Sequence, residues 1–285
     1  MKSYMALLPG LLLTLAACSP DIRSHHAPIV LDSDSIIGGE EIHERVSDAA
    51  RSVVVVELTN SSGSTMAFCT GTLIGTNTVL TAGHCFDKEH LPGLAGFNIV
   101  FTDKFSAFLN TVKRKGQKWA VHTSYNSTKK EYDHDIAVGS FAGSLPKGYQ
   151  PVAYDTDVEA NHSDATVYVY GYGRSRDYTG RKGEDPMAYL GQLHRGVMKI
   201  DSFYNRHPDR YWTTMDVPVF ICNGDSGGPQ FYHENGVLKI LGVNSAVYGP
   251  KLPNGHSSCK GIGQATKVAP FADWIQKKRA SFFVN

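Results

Sequence analysis

Nowhere in the 285 residues does a basic run exceed Lys113-Arg114-Lys115, and 28 Lys+Arg stand against 27 Asp+Glu, a net charge of +1. A chain with no concentrated positive face has no electrostatic footprint for a nucleic-acid backbone, so a dedicated DNA or RNA binder is excluded, as is an acidic interaction tail. Cysteine is scarce, at five residues, and no Cys-x-x-Cys or paired Cys/His spacing occurs. The pattern that supplies zinc ligands is therefore absent, and no metal or cofactor is expected. There is no repeat of solenoid period and no collagen-like or coiled-coil repeat. The longest apolar stretch, Met5 to Ala17, is interrupted by Pro9-Gly10. It falls short of the roughly 20 residues that a membrane-spanning helix needs.

What is present begins with targeting. Lys2 followed by that short apolar run reads as a secretory signal peptide over residues 1–17. The run ends in Leu15-Ala16-Ala17-Cys18, which resembles the bacterial lipobox, whose Cys becomes an acylated first residue. The expectation is an exported, cell-envelope or secreted protein that meets the membrane only through a lipid on Cys18. Residues 18–35 are polar, contain two Pro and lack periodicity, as expected of a tether or propeptide. Residues 36–285 are long enough for one large domain with a substantial core. Cys69, Cys85, Cys222 and Cys259 remain, an even number in a chain bound for an oxidising compartment; they allow three pairings, among which spacing does not choose.

Short β-rich runs alternate with Gly, Asn and Ser turns. The clearest are Val53 to Val56, Gly71 to Ile74, Thr78 to Leu80, Asn98 to Phe101, Ile136 to Val138, Thr166 to Tyr170, Gly196 to Ile200 and Leu238 to Val243. Many short strands predict an all-β barrel or sandwich. Only the end reads as helical, with Pro270 in a first turn, then Phe271, Trp274, Ile275 and Lys278 on one face.

The strongest local signal is Cys222-Asn223-Gly224-Asp225-Ser226-Gly227-Gly228-Pro229. Three Gly around one Ser let the backbone turn sharply and aim its N–H groups at whatever sits on the hydroxyl, and a serine nucleophile then needs a base and an orienter. The segment resembles the nucleophile loop of chymotrypsin-like (trypsin-fold) serine proteases. Thr81-Ala82-Gly83-His84-Cys85 resembles the family's histidine motif with one Ala replaced by Gly, and Asp135-Ile136-Ala137-Val138 resembles its aspartate motif. Ile36-Ile37-Gly38-Gly39 is similar to the activated N-terminus, Gly171-Tyr172-Gly173 to the family's Gly-Trp-Gly, and Thr266 through Ile275 to its C-terminal segment.

The resemblance implies two six-stranded antiparallel β-barrels packed together with a C-terminal α-helix, and a serine endopeptidase acting through an acyl-enzyme. Ser226 attacks the scissile carbonyl, His84 carries the proton, Asp135 orients the imidazole, and the N–H groups of Gly224 and Ser226 form the oxyanion hole. Asp133 also flanks His134 and is the rival orienter; His122 and His134 are expected to be structural. Activity should rise across roughly pH 6 to 8 as His84 becomes available as a base. The implied disulfides are Cys69–Cys85 and Cys222–Cys259, leaving Cys18 for lipid.

In the family a new N-terminus, here Ile36, pairs with the Asp beside the nucleophile, here Asp225. Asp32-Ser33-Asp34-Ser35 precedes Ile36 without Lys or Arg. The expectation is a zymogen cut after Ser35 by a protease that is not trypsin-like, or by itself, which frees the enzyme from a lipid on residues 18–35. Phe220 stands where trypsins carry the Asp that attracts Arg or Lys, Ser245-Ala246-Val247 stands for Ser-Trp-Gly, and Gly263 lies on the opposite wall. Small or medium apolar P1 residues are therefore expected. The stretch from Asp87 to Asp103 has few carboxylates for calcium. The sequons at Asn60, Asn126 and Asn161 are expected to be plain surface loops in a bacterium.

Two rivals remain. Gly224-Asp225-Ser226-Gly227-Gly228 also fits the Gly-x-Ser-x-Gly elbow of α/β-hydrolases, but that fold orders its triad Ser, acid, His and follows the Ser with a helix. The other is a catalytically inactive protease-fold binding protein. Protein or peptide substrates and an activating protease are the expected partners.

Overall fold

The computed structural model describes residues 36–284, apart from 108, 110, 127–132, 186–187 and 217; the signal peptide and tether expected over residues 1–35, with Cys18, lie outside the described residues. The chain before the first barrel forms β1 (Glu40–Glu41) and α1 (Asp48–Ser52). The β-branched run Val53 to Val56 then cannot relax into a helix without crowding at χ1, and it opens β2 (Val53–Thr59), buried along its whole length. β3 (Thr65–Gly75), β4 (Thr78–Thr81), β5 (Gly96–Phe101), β6 (Val112–Val121) and β7 (Ala137–Phe141) follow. These six close into an antiparallel barrel in the order β2-β3-β4-β7-β6-β5. Phe97, Phe86 and Trp119 pack edge-on and stacked in its core.

The second half contributes β8 (Ala153–Tyr154), β9 (Thr166–Gly171), β10 (His194–Lys199), β11 (Arg210–Trp212), β12 (Pro229–Glu234), β13 (Val237–Tyr248) and β14 (Ile262–Lys267). Together with β1 they make an eight-stranded sheet, ordered β1-β10-β9-β12-β13-β14-β11 with β8 beside β13. The expected second six-stranded barrel therefore differs in detail. β1 and β8 are additions, and the curl from β10 round to β11 is joined by a single bridge, Ile200 to Thr213, with Thr214 N–H donating to Lys199 O and Asp201 N–H to Trp212 O. β11 has only three residues, too few for a full ladder. Ile36, Val167, Val169, Met198, Ile200, Tyr211 and Leu241 form its core.

After a 3₁₀ turn over Ala269–Phe271, which places Pro270 where its missing N–H is tolerated, α2 (Ala272–Ser281) buries Ile275 against the first-barrel core. No helix among the described residues is long and apolar enough to cross a membrane.

Candidate active site

β4 ends at Thr81, and the chain turns at once into a 3₁₀ segment, Gly83–Phe86, that carries His84. The disulfide Cys69–Cys85 ties this segment back to β3. Asp135 stands two residues before β7, after a turn in which His134 adopts φ 55°. Asp135 has no solvent exposure. Its Oδ1 accepts the His84 backbone N–H at 2.7 Å, and its Oδ2 lies 2.7 Å from His84 Nδ1 and accepts the Ser245 hydroxyl at 2.6 Å. A buried carboxylate so surrounded by donors remains an acceptor and fixes the imidazole with Nδ1 protonated and Nε2 turned away from the carboxylate. Asp133 instead pairs with Arg210 Nη1 at 2.6 Å. His122 and His134 stack 5.4 Å apart, against Phe271.

The serine loop is held from both halves of the molecule. Asp225 N–H donates to Cys222 O, and Gly228 N–H to Asp225 O, forming two consecutive turns around Ser226. From the first barrel, Thr70 N–H donates to Ser226 O at 2.9 Å, and Thr70 Oγ1 to Gly224 O at 2.8 Å. From β13, Asn244 O accepts Gly227 N–H. Gly227 has φ +79°, and a Cβ there would lie 1.9 Å from Thr81 Oγ1, so only glycine fits between the barrels at this point. The second disulfide, Cys222–Cys259, anchors the start of the loop. Among the described residues, neither the Gly224 nor the Ser226 N–H donates to a protein acceptor.

His84 and Ser226 line the same cleft, of about 520 Å³. Burial pushes the His84 imidazole towards its neutral form. The Asp135 carboxylate, through charge and hydrogen bond, and the Asp87 charge outweigh this and raise its pKa above the ordinary value. Asp225 is wholly buried: Oδ1 accepts Gly173 N–H at 2.8 Å and Oδ2 accepts Cys222 N–H at 2.9 Å. Burial pushes its carboxyl up to about 7 against the pull of those two N–H donors. A Cβ on Gly173 would come within 2.6 Å of three carboxyl atoms of Asp225, so this strand end must be glycine for the acid to be there. Ile36 is buried, and Ile37 bridges to Phe220.

Of the residues expected at the specificity pocket, Ser245 and Val247 line the cleft while Phe220 and Gly263 do not. Phe220 is buried in a cluster with Ile37, Tyr178 and the Cys222–Cys259 disulfide, and Val247 packs on it. Gly263 faces Thr213 and Ile221. Ser245 has a part that sequence reading missed, the hydrogen bond to Asp135. Ile221, adjacent to Cys222, lines the cleft and was open to inference from that position. Tyr178 and His256, whose rings stack at 4.4 Å across two loops, carry no sequence signal that would bring them together.

A closed barrel beside a curled second sheet, with a buried Asp bonded to a half-buried His and a glycine-flanked serine on the same cleft, defines the chymotrypsin-like class of serine hydrolases. The trypsin family model matches residues 36–275, and the chain belongs to the trypsin family of serine proteases. It is 27% identical over 227 residues to chymotrypsin-like elastase family member 1 of Macaca fascicularis, covering 78% of this chain and 82% of that one. It is 28% identical over 261 residues to trypsin-3 of Salmo salar, covering 90% and 97%. The solved structure of HL collagenase superposes with a TM-score of 0.63 at 18% identity, over 85% of this chain and 97% of that chain, a likeness of fold.

Proposed function

We propose that this trypsin-family protein is an active serine endopeptidase in which Ser226 is the nucleophile, His84 the general base and acid, and Asp135 the orienter. The observation that carries the reading is the buried Asp135 carboxylate bonded at once to the His84 backbone N–H, His84 Nδ1 and the Ser245 hydroxyl, with Ser226 on the same cleft. In the reaction His84 Nε2 takes the Ser226 proton as Oγ bonds to the scissile carbonyl carbon. The oxyanion is received by the undonated N–H groups of Gly224 and Ser226, and collapse expels the amine with the proton returned from His84. Water then repeats the cycle on the acyl-enzyme. A peptide library offered to protein beginning at Ile36, with fluorophosphonate labelling in parallel, tests this. Cleavage with labelling of Ser226 is expected; neither would favour the inactive binding protein.

Because His84 must be neutral to act as base and its folded-state pKa is raised, the acid limb of kcat/KM is expected above the roughly 6.5 of a free imidazole. A pH profile on a neutral peptide substrate checks this, and a midpoint below 6 would contradict it.

The same proposal makes the chain a zymogen. Cleavage after Ser35 frees the Ile36 α-ammonium to pair with Asp225, and a lipid on Cys18 stays with the 18–35 tether after the signal peptide 1–17 is removed. Small or medium apolar P1 residues are preferred: Phe220 supplies no carboxylate for a cation, and Val247 and Ile221 narrow an apolar cleft wall. Val247→Gly is expected to raise kcat/KM for Phe at P1, relative to Ala, by roughly tenfold or more, the scale of admitting extra methylenes into an apolar pocket. An unchanged ratio in paired peptide assays would remove Val247 from the pocket.

A further inference from the structure

Arg45 is a buried cation that the proposed chemistry does not use. Its side chain is 8% exposed, yet every guanidinium N–H has an acceptor. Nε donates to Asp103 Oδ1, Nη1 to the carbonyls of Ala50 and Val53, and Nη2 to the carbonyl of Thr102 and the phenolic oxygen of Tyr172. The guanidinium also lies 4.6 Å from the centre of the Tyr149 ring. A buried guanidinium is tolerable only when its donors are all matched, and this one is matched by acceptors from three separate stretches of chain.

The segment that carries Arg45 and the stretch that carries Tyr172 both lead to the proposed activation pair. Arg45 ends the segment that begins at Ile36, which runs through the Ile37–Phe220 bridge, the pairing of β1 with β10 and the Ile42 N–H to Leu193 O bond. Tyr172 is fully buried, and its hydroxyl accepts from Arg45 and donates to Thr102 O. Its own N–H donates to Thr70 Oγ1, which in turn donates to Gly224 O, and the next residue, Gly173, donates to Asp225. The Gly171-Tyr172-Gly173 stretch departs from the family's Gly-Trp-Gly at this ring. An indole N–H is a donor only and cannot accept from a guanidinium, whereas a phenol can do both. The Tyr and the Arg therefore belong together.

We infer that Arg45 and Tyr172 are a pair of positioning residues: their buried hydrogen bond locks the segment behind Ile36 to the strand end that holds Asp225, so that the new N-terminus meets that carboxylate in the orientation that orders Gly224 to Ser226. The inference rests on the reading of Ile36 and Asp225 as an activation pair. The pair touches no substrate and acts through the Asp225 loop.

The test uses cleaved enzyme with active sites counted by fluorophosphonate titration. Tyr172→Phe keeps the ring and removes only the hydroxyl, the acceptor for Arg45 and the donor to Thr102 O; Arg45→Lys keeps the charge but loses the fork. Each is expected to lower kcat per titrated site about tenfold, the lower end for a lost hydrogen bond to a charged group, with KM within twofold. Each is also expected to move the alkaline limb of kcat, where the Ile36 ammonium loses its proton, to lower pH. A structural role alone would lower the melting temperature and the titre without moving either readout. Tyr172→Phe with wild-type kcat per site and an unmoved alkaline limb overturns the inference, even if Arg45→Lys fails to fold. Asp225→Asn is run alongside. If it is inactive while Tyr172→Phe behaves as wild type, only this inference fails; if it is fully active, the activation pair fails and takes the inference with it.

Discussion

Ser226→Ala, in protein beginning at Ile36, should lower kcat by about 10⁶ while KM stays within a few-fold, the scale seen when a serine protease loses its nucleophile. The change removes one oxygen and leaves the supports of the loop in place, since Thr70 donates to the Ser226 carbonyl and Gly227 to Asn244, neither through the hydroxyl. The Gly224 and Ser226 N–H groups also survive, so a residual acceleration of about 10³ to 10⁴ over water is expected from oxyanion stabilisation and binding alone. His84→Ala should cost about as much, and the double variant little more than either, because a base with nothing to deprotonate and a nucleophile with no base fail at the same step. Steady-state cleavage and loss of fluorophosphonate labelling measure this. A Ser226→Ala protein that kept a hundredth of its activity would mean that the chemistry lies elsewhere.

Asp225 carries the second large effect. In the uncleaved chain its carboxyl is buried with two backbone donors and has a pKa pushed up to about 7 from 3.8, so it holds a proton across a range in which the unfolded chain has lost it. Folding then takes up a proton between those values, and stability falls as pH rises through that window; below it both states are protonated and the dependence ends. On the proposed activation, a cation delivered by cleavage before Ile36 would remove this penalty. The melting temperature of cleaved protein should therefore pull ahead of the uncleaved form as pH rises from 4 to 7, in a Ser226→Ala background that prevents self-cleavage. A gap that does not change with pH would contradict the pairing. Asp225→Asn in the cleaved enzyme leaves the ammonium buried without its partner. It is expected to lower kcat/KM roughly a hundredfold to a few thousandfold, the equivalent of the roughly 3–5 kcal/mol for breaking a buried pair.

Each of the eight strand runs read from the sequence overlaps an observed strand, because each combines β-branched or aromatic residues with flanking turns. β6 was missed. Its Lys113-Arg114-Lys115-Gly116-Gln117-Lys118 stretch reads as a solvated loop, yet it pairs with both β5 and β7 in the closed barrel, and Lys113 reaches the buried Glu57. β11, β12 and β14 are short and carry no run of β-branched residues, and their ladder partners make them strands.

From the residues alone came the family resemblance and, as what it implies, His84, Asp135 and Ser226 as candidate catalytic groups and the two cysteine pairs, since these lie in short motifs of contiguous residues. The folded chain brings Asp135 to His84, as its motif implied, and packing sends the neighbouring Asp133 to Arg210. Likewise it put the Ser245 hydroxyl on an aspartate 110 residues away, buried Phe220 behind Val247 and drew Arg45 to Tyr172 across 127 residues. Those choices belong to packing, because a buried polar group takes whichever partner the folded chain brings within reach, and no local pattern records which that is.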